Sequence, residues 1–380
     1  MLYRLYVLGC CSRLAPLRLS PVVRHAAACV LALACGFVSS GCTENENAPS
    51  DASGSGASIG VVVVASIHPL AGLAGELMGD LGEAHALLPA GSTPHGFSPT
   101  PDALRKLRSA DLLLTVGRGL DPWAKRLVDR LEDPPRVLDL AEIAERAGAV
   151  DAHTPALGPA DHPHDHDHHN HHNQEHAHVD HADHADHSNH ADHNKQDHAH
   201  DHDHLGPNPH LWLDPHAVEA LVRELAAAVE FRRPEEQQAV LHANRDDLLR
   251  RIDEIDRAYR QKLSELPNPR MVTFHNAFDP LAERYGLEVV AHLTPIGLGG
   301  GGEVTPGRLE AAIRAIRQHN VPAVYVEPQF SDAVVRRLAE QTGVQVLTLD
   351  PLGNPHIEGR RGWFELMRFN LEALVKGQSK

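Results

Sequence analysis

Cysteine is scarce in this 380-residue sequence, and all five cysteines lie within the first 42 residues. The rest of the chain has no thiol for a disulfide or a metal site, so any metal there must bind histidine, aspartate or glutamate. Basic charge is also limited, with 35 Lys and Arg against 51 Asp and Glu. Because no basic patch suited to phosphates is present, we do not expect the protein to bind nucleic acid.

Common catalytic motifs are missing as well. The sequence has no H-E-x-x-H pair, no P-loop and no convincing Ser/His/Asp arrangement. These absences argue against the best-known metalloprotease, nucleotide-hydrolysing and serine-hydrolase classes. We therefore expect a protein that is not an enzyme.

The apolar run near the N-terminus, residues 26–38, is too short to anchor a protein stably across a bilayer. Arginines precede it and Ser39-Ser40-Gly41-Cys42 follows it, which is the order of a signal peptide. Cysteine directly after Ser-Gly resembles a lipoprotein processing site, so we expect Cys42 to be lipidated; the alternative is cleavage nearby by an ordinary signal peptidase. Residues 1–42 are thus predicted to be a signal peptide and 43–58 a flexible linker.

Short apolar runs alternate with helical periodicity along the rest of the chain. Four consecutive valines at 61–64 are typical of a strand buried on both faces. This alternation predicts an α/β fold of two lobes, each with a parallel sheet flanked by helices. The lobes are predicted over 59–232 and 267–380. Residues 233–266 lack Gly and Pro after Pro234 and predict a rigid linking helix of roughly 45 Å.

Histidine is abundant in one place. Residues 153–204 contain 19 of the 30 histidines, many beside aspartate, and account for −10 of the net charge of −16. So polar a segment is predicted to be a disordered loop inside the N-terminal lobe. Its imidazoles are mostly neutral at pH 7 and able to bind metal weakly. The candidate low-affinity ligands are His164, His166, His168, His169, His171, His172, His200, His202 and His204.

Four further side chains fall where ligands gather in open α/β sheets, beyond the carboxyl ends of strands or near a helix start. His95, His275 and Asp350 each follow a predicted strand, and His210 lies just before the helix start at Asp214. Three imidazoles and a carboxylate suit four-coordinate Zn²⁺. The same set also accepts Mn²⁺, but the imidazole-rich loop favours zinc.

Five segments resemble those of the zinc and manganese solute-binding proteins of ABC importers, the ZnuA/TroA-like family. They are residues 94–99 (PHGFSP), 208–215 (NPHLWLDP), 273–278 (TFHNAF), 326–330 (VEPQF) and 349–353 (LDPLG). The resemblance covers nearly all of 59–380. It implies two lobes bridged by a helix, with a metal held between them by His95, His210 and His275.

The resemblance leaves the fourth ligand open. Asp350 matches the carboxylate of manganese-type members, and a water, Glu303 or Glu327 are the alternatives. Some zinc-type members carry glutamate just before the first histidine, where this chain has Pro94.

The resemblance implies that the protein is a monomer that captures Zn²⁺ in the periplasm or cell envelope and delivers it to the membrane permease of an ABC importer. A lipid anchor would hold it at the membrane. Two other functions stay open. One is a periplasmic zinc buffer or chaperone without a transporter; the other is a metallohydrolase with Glu303 or Glu327 as base.

Overall fold

Two separate parallel sheets form the framework, which confirms the predicted α/β class. The computed structural model describes residues 60–150, 207–294, 304–331 and 333–379. Its strands are β1 (Val61–Ala65), β2 (Gly82–Ala86), β3 (Leu112–Thr115), β4 (Arg136–Asp139), β5 (Arg270–Thr273), β6 (Glu288–His292), β7 (Ala323–Val326) and β8 (Gln345–Thr348). The first four make one sheet and the last four the other.

Helices connect the strands within each sheet, link the two sheets and follow the last strand. They are α1 (His68–Met78), α2 (Pro101–Arg108), α3 (Pro122–Val128), α4 (Leu140–Arg146), α5 (Pro215–Glu230), α6 (Glu235–Ser264), α7 (Asp279–Tyr285), α8 (Pro306–His319), α9 (Ala333–Thr342) and α10 (Trp363–Gln378). Among the described residues, no helix is long and apolar enough to cross a membrane.

The two sheets have the same strand order. The first runs β2-β1-β3-β4 and the second β6-β5-β7-β8, with every described pairing parallel. Parallel pairing brings the carboxyl ends of neighbouring strands to one edge of each sheet. Side chains that directly follow β5, β7 and β8 therefore lie along the same edge.

The sequence favours a strand at residues 84–88, whereas the structure places β2 slightly earlier, at Gly82–Ala86. The strand ends at Ala86, and the buried Leu87 and Leu88 continue beyond it. Their backbone N–H groups still donate to Ala65 and Ser66, at 2.8 and 3.1 Å, so the chain stays beside the end of β1. The apolar pair thus belongs to the connection that leads toward His95.

Helix α6 contacts both halves of the chain. It begins directly after Pro234, and its 30 residues pack against α1 and α5 of the first half and against α7 and α10 of the second half. The Tyr259 hydroxyl donates to the carbonyl of Met367 at 2.7 Å in the buried interface with α10. The lobe boundaries themselves stay a prediction.

Two tryptophans join the two halves of the chain. The indole N–H of Trp212 donates to the carbonyl of Pro351 at 2.6 Å, and that of Trp363 donates to the carbonyl of Trp212 at 2.7 Å. Both rings are fully buried in one apolar core that includes residues of both halves. Large rings with satisfied N–H groups hold this contact in a defined geometry.

Candidate metal centre

Three histidines from distant parts of the sequence meet in the interior. The Nε2 atom of His210 lies 3.3 Å from that of His95 and 3.2 Å from that of His275. All three residues are buried, and their ligand atoms lie within 4.8 Å of one another. Among the described residues, this is the only His/Cys/Asp/Glu group that could hold a metal ion in this way.

His95 is presented by a turn in the connection after β2. The Phe97 N–H donates to the carbonyl of Pro94, and Gly96 has φ +68°, a left-handed conformation that glycine adopts without strain. The indole N–H of Trp123 donates to the same carbonyl at 3.1 Å. A buried ring of the first half therefore holds the turn that carries the ligand.

His210 is oriented by the amide of Asn208. The Asn208 side-chain oxygen accepts from the His210 backbone N–H at 3.0 Å and lies 2.8 Å from its Nδ1. The other end of the amide donates to the carbonyl of Asn276 at 2.7 Å. Because that bond fixes which end of the amide faces the ring, Nδ1 carries the proton and Nε2 keeps its lone pair.

His275 is oriented by a buried carboxylate. It lies just beyond β5, and its Nδ1 is hydrogen-bonded to Oε1 of Glu327, which follows the neighbouring strand β7. A carboxylate accepts hydrogen bonds, so Nδ1 of His275 also carries the proton. The lone pair on Nε2 consequently points toward the other two histidines.

The centre is arranged for a cation. Burial, reinforced by His275 and His95, holds the pKa of His210 well below its ordinary value of 6.5. His210 is therefore neutral at pH 7. With protons on both outer nitrogens, the inner lone pairs of His210 and His275 face each other at 3.2 Å and repel unless a positive ion lies between them. The donor set fits a metal that prefers imidazole nitrogen.

The walls of the pocket are mostly apolar. Besides the three histidines, the lining includes Trp212, Phe330, Pro351 and Leu352. An apolar shell excludes water and strengthens electrostatic interactions with a bound ion.

Asp350 does not join the three histidines. Its Oδ1 accepts from the backbone N–H groups of Leu352 and Gly353, at 3.0 and 2.9 Å, and its Oδ2 accepts from Arg360 at 2.8 Å. It follows β8, two strands away from β5, and strands are spaced by about 4.8 Å. That displacement along the sheet edge explains its separation from His275.

The remaining candidates are placed differently. Glu327, considered as a ligand or a base, lies behind His275 and contacts its outer nitrogen. Outside the described residues lie Glu303, Cys42, the signal peptide and linker (1–58) and the nine candidate histidines of 153–204.

Comparison with known proteins assigns the family. Residues 63–377 match the family described as "Zinc-uptake complex component A periplasmic". The chain belongs to this family. The chain is 33% identical over 317 residues to the High-affinity zinc uptake system protein ZnuA of Paracoccus denitrificans, covering 82% of this chain and 90% of that protein.

Other relatives are more distant. The Zinc-binding lipoprotein AdcA of Streptococcus pneumoniae is 23% identical over 315 residues, which cover 82% of this chain and 54% of AdcA. The chain thus spans about half the length of the first of its curated relatives. Among solved structures, the periplasmic zinc binding protein TroA from Treponema pallidum is 16% identical, with a TM-score of 0.64 and coverage of 84% of this chain and 100% of TroA. This likeness supports the two-lobe fold.

The orienting roles of Asn208 and Glu327 were not anticipated from the sequence. Asn208 could have been recognised, because an asparagine side chain commonly accepts a hydrogen bond from the backbone N–H two residues later. Glu327 gave no such local signal, since it lies 52 residues from His275 and reaches it only through sheet pairing.

Proposed function

We propose that this protein captures Zn²⁺ between its two lobes and delivers it to the membrane permease of an ABC importer. The observation that carries the proposal is the convergence of three buried Nε2 atoms, from His95, His210 and His275. Family membership and the zinc-uptake names of relatives support the transport step.

The ligand chemistry favours zinc over manganese. Zn²⁺ binds imidazole nitrogen at about 2.0–2.1 Å in tetrahedral sites, whereas Mn²⁺ prefers oxygen ligands. Hydrogen bonds from the outer nitrogens to Asn208 and Glu327 fix the ring orientations. Such partners also make the inner nitrogens better ligands.

The fourth coordination position remains a proposal. Asp350 was expected to fill it, with water or a glutamate as alternatives. The bonds of Asp350 to Arg360 and to two backbone N–H groups favour water at this position.

Glu327 does not suit the role of a hydrolytic base. Its Oε1 is engaged by His275 Nδ1, on the side of the ring away from the other histidines. This arrangement supports a binding protein rather than a metallohydrolase.

We also propose roles for the His-rich segment and for Cys42, which lie outside the part of the chain that the structure describes. The His-rich segment 153–204 would collect zinc weakly beside the main site, and lipidation at Cys42 would hold the protein at the cell envelope as a monomer near its permease. Two lobes joined by α6 would open and close around the ion.

Zinc titration of the protein in competition with a chelator tests the proposal. We expect one tight site that survives deletion of 153–204 and is lost in His210→Ala. The matched control is His242→Ala, because His242 pairs with Glu230 through a 3.1 Å contact outside the pocket. Loss of all tight binding on deletion of the segment would contradict the assignment to the cleft.

Transport is tested separately in cells. A strain that lacks the protein should accumulate less zinc in zinc-poor medium, and the wild-type chain should restore uptake while His210→Ala does not. Equal uptake with and without the protein would instead favour a buffer or chaperone that acts without a transporter.

A further inference from the structure

A partly buried ion pair involves Asp350, whose neighbours Pro351 and Leu352 line the pocket of the metal centre. Arg360 Nη1 donates to Asp350 Oδ2 at 2.8 Å, and the side chains are 17% and 2% exposed, respectively. The other carboxylate oxygen accepts from two backbone N–H groups. The carboxylate is therefore held by bonds to both of its oxygens.

The loop between Asp350 and Arg360 has a fixed conformation that brings the two side chains together. Gly353 has φ +66°, and a Cβ there would lie 2.6 Å from the Arg360 carbonyl oxygen. That carbonyl accepts from the Asn354 N–H at 2.9 Å. The guanidinium also lies over the ring of Phe369, with its carbon 4.8 Å from the ring centroid. Backbone and side chain of Arg360 are thus both fixed.

The guanidinium of Arg360 supplies Asp350 with the positive charge that a metal ion would otherwise supply. Arginine keeps its charge at all accessible pH values and binds carboxylates with a directed geometry. To bind a metal at the three histidines, Asp350 would have to break its ion pair with Arg360. The largely buried guanidinium would then lack a partner carboxylate, which is costly. Carboxylate is the ligand type that Mn²⁺ favours more than Zn²⁺ does.

We propose that Arg360 is a specificity-determining residue that withholds Asp350 from the metal and so disfavours Mn²⁺ relative to Zn²⁺. This inference rests on the proposed zinc site of His95, His210 and His275. Arg360 acts through Asp350 and does not contact the ion.

The test compares affinities for Zn²⁺ and Mn²⁺ in Arg360→Gln, Asp350→Asn and wild type. We expect Arg360→Gln to raise the ratio of Mn²⁺ to Zn²⁺ affinity by about tenfold, the lower end of effects from groups that tune metal ligands. Asp350→Asn should change Zn²⁺ affinity by less than about tenfold, because tenfold is the lower end of the effect of groups that bind or orient a metal ligand. Arg360→Lys, which keeps the cation, should preserve the wild-type ratio.

Arg361→Gln is the matched control, because Arg361 is exposed and its neutralisation removes the same charge from the same loop. The absorption spectrum of the Co²⁺-loaded protein gives a second readout. It should change in Arg360→Gln as an oxygen ligand enters, and stay unchanged in Arg361→Gln and Asp350→Asn.

Two results would overturn the inference. One is a loss of Zn²⁺ affinity of about tenfold or more in folded Asp350→Asn, which would make Asp350 a ligand. The other is an Mn²⁺ to Zn²⁺ ratio in Arg360→Gln equal to that of Arg361→Gln; if Arg360→Gln does not fold, the Asp350→Asn result decides. A wrong assignment of the zinc site would give a different result, because tight zinc binding would then persist in His210→Ala.

Discussion

The hydrogen bond between Glu327 and His275 allows a sharp test of how the centre binds zinc. Glu327 is 3% exposed and contacts the nitrogen of His275 that faces away from the other histidines. Glu327→Gln keeps the size and a hydrogen-bonding oxygen but removes the negative charge. The imidazole then becomes a weaker donor to a cation, while the packing around it changes little.

The expected loss can be estimated from comparable sites. Partners that orient a metal-bound histidine commonly contribute a factor of 10–100 in affinity, or about 1.4–2.7 kcal/mol. At a fixed excess of free zinc, the stabilisation of the folded protein by zinc falls by the same amount. The metal-free protein should unfold at nearly its wild-type temperature, because the hydrogen bond is retained.

Two measurements check this prediction: competition titration with a zinc chelator, and thermal unfolding with and without zinc. Glu288→Gln is the control, since Glu288 is exposed and pairs with Arg270 on the same lobe. A zinc affinity of folded Glu327→Gln within about twofold of wild type would refute the reasoning.

Three further predictions concern the surroundings of the site. Asn208→Ala removes the acceptor of His210 Nδ1 and leaves the Asn276 carbonyl without its 2.7 Å donor, so both zinc affinity and chemical-denaturation stability should fall, the latter by about 1–3 kcal/mol. Trp363→Phe removes the donor to the Trp212 carbonyl; unfolding free energy should fall by about 1–3 kcal/mol, whereas the metal stoichiometry in a titration should stay at one. The depressed pKa of His210 predicts that the metal-free protein loses stability as pH falls below 6.5, because the unfolded chain takes up a proton that the folded chain does not. The loss is complete once pH falls below the folded-state pKa. Denaturant titrations at several pH values should show that the unfolding free energy of His210→Gln depends less steeply on pH than that of the wild type.

Local sequence patterns predicted most of the framework. Residues 61–64 lie in a strand, a helix begins at Pro215 directly after Asp214, and α6 occupies 235–264 of the predicted 233–266. These elements depend on apolar periodicity, on proline at the first helical turn and on the lack of helix-breaking residues. Each of these signals lies within a few neighbouring residues.

The position of ligands at strand ends was predictable from local patterns, whereas the grouping of the three histidines was implied only by the family resemblance. His95 and His275 followed strands as expected, and the topology brought them together with His210. Asp350 followed a strand equally well, yet strand order placed it two strands from His275. Strand order comes from long-range pairing, which a local pattern does not reveal.

The sequence by itself determined the α/β class, the long helix and the family resemblance, because each is encoded by residue type and short-range spacing. It also singled out three histidines as candidate ligands. The tertiary structure decided what each side chain of the centre contacts. It directed Glu327 to the outer nitrogen of His275 and paired Asp350 with Arg360. Those contacts depend on neighbours in space, since a hydrogen bond forms only when donor and acceptor meet within about 3 Å.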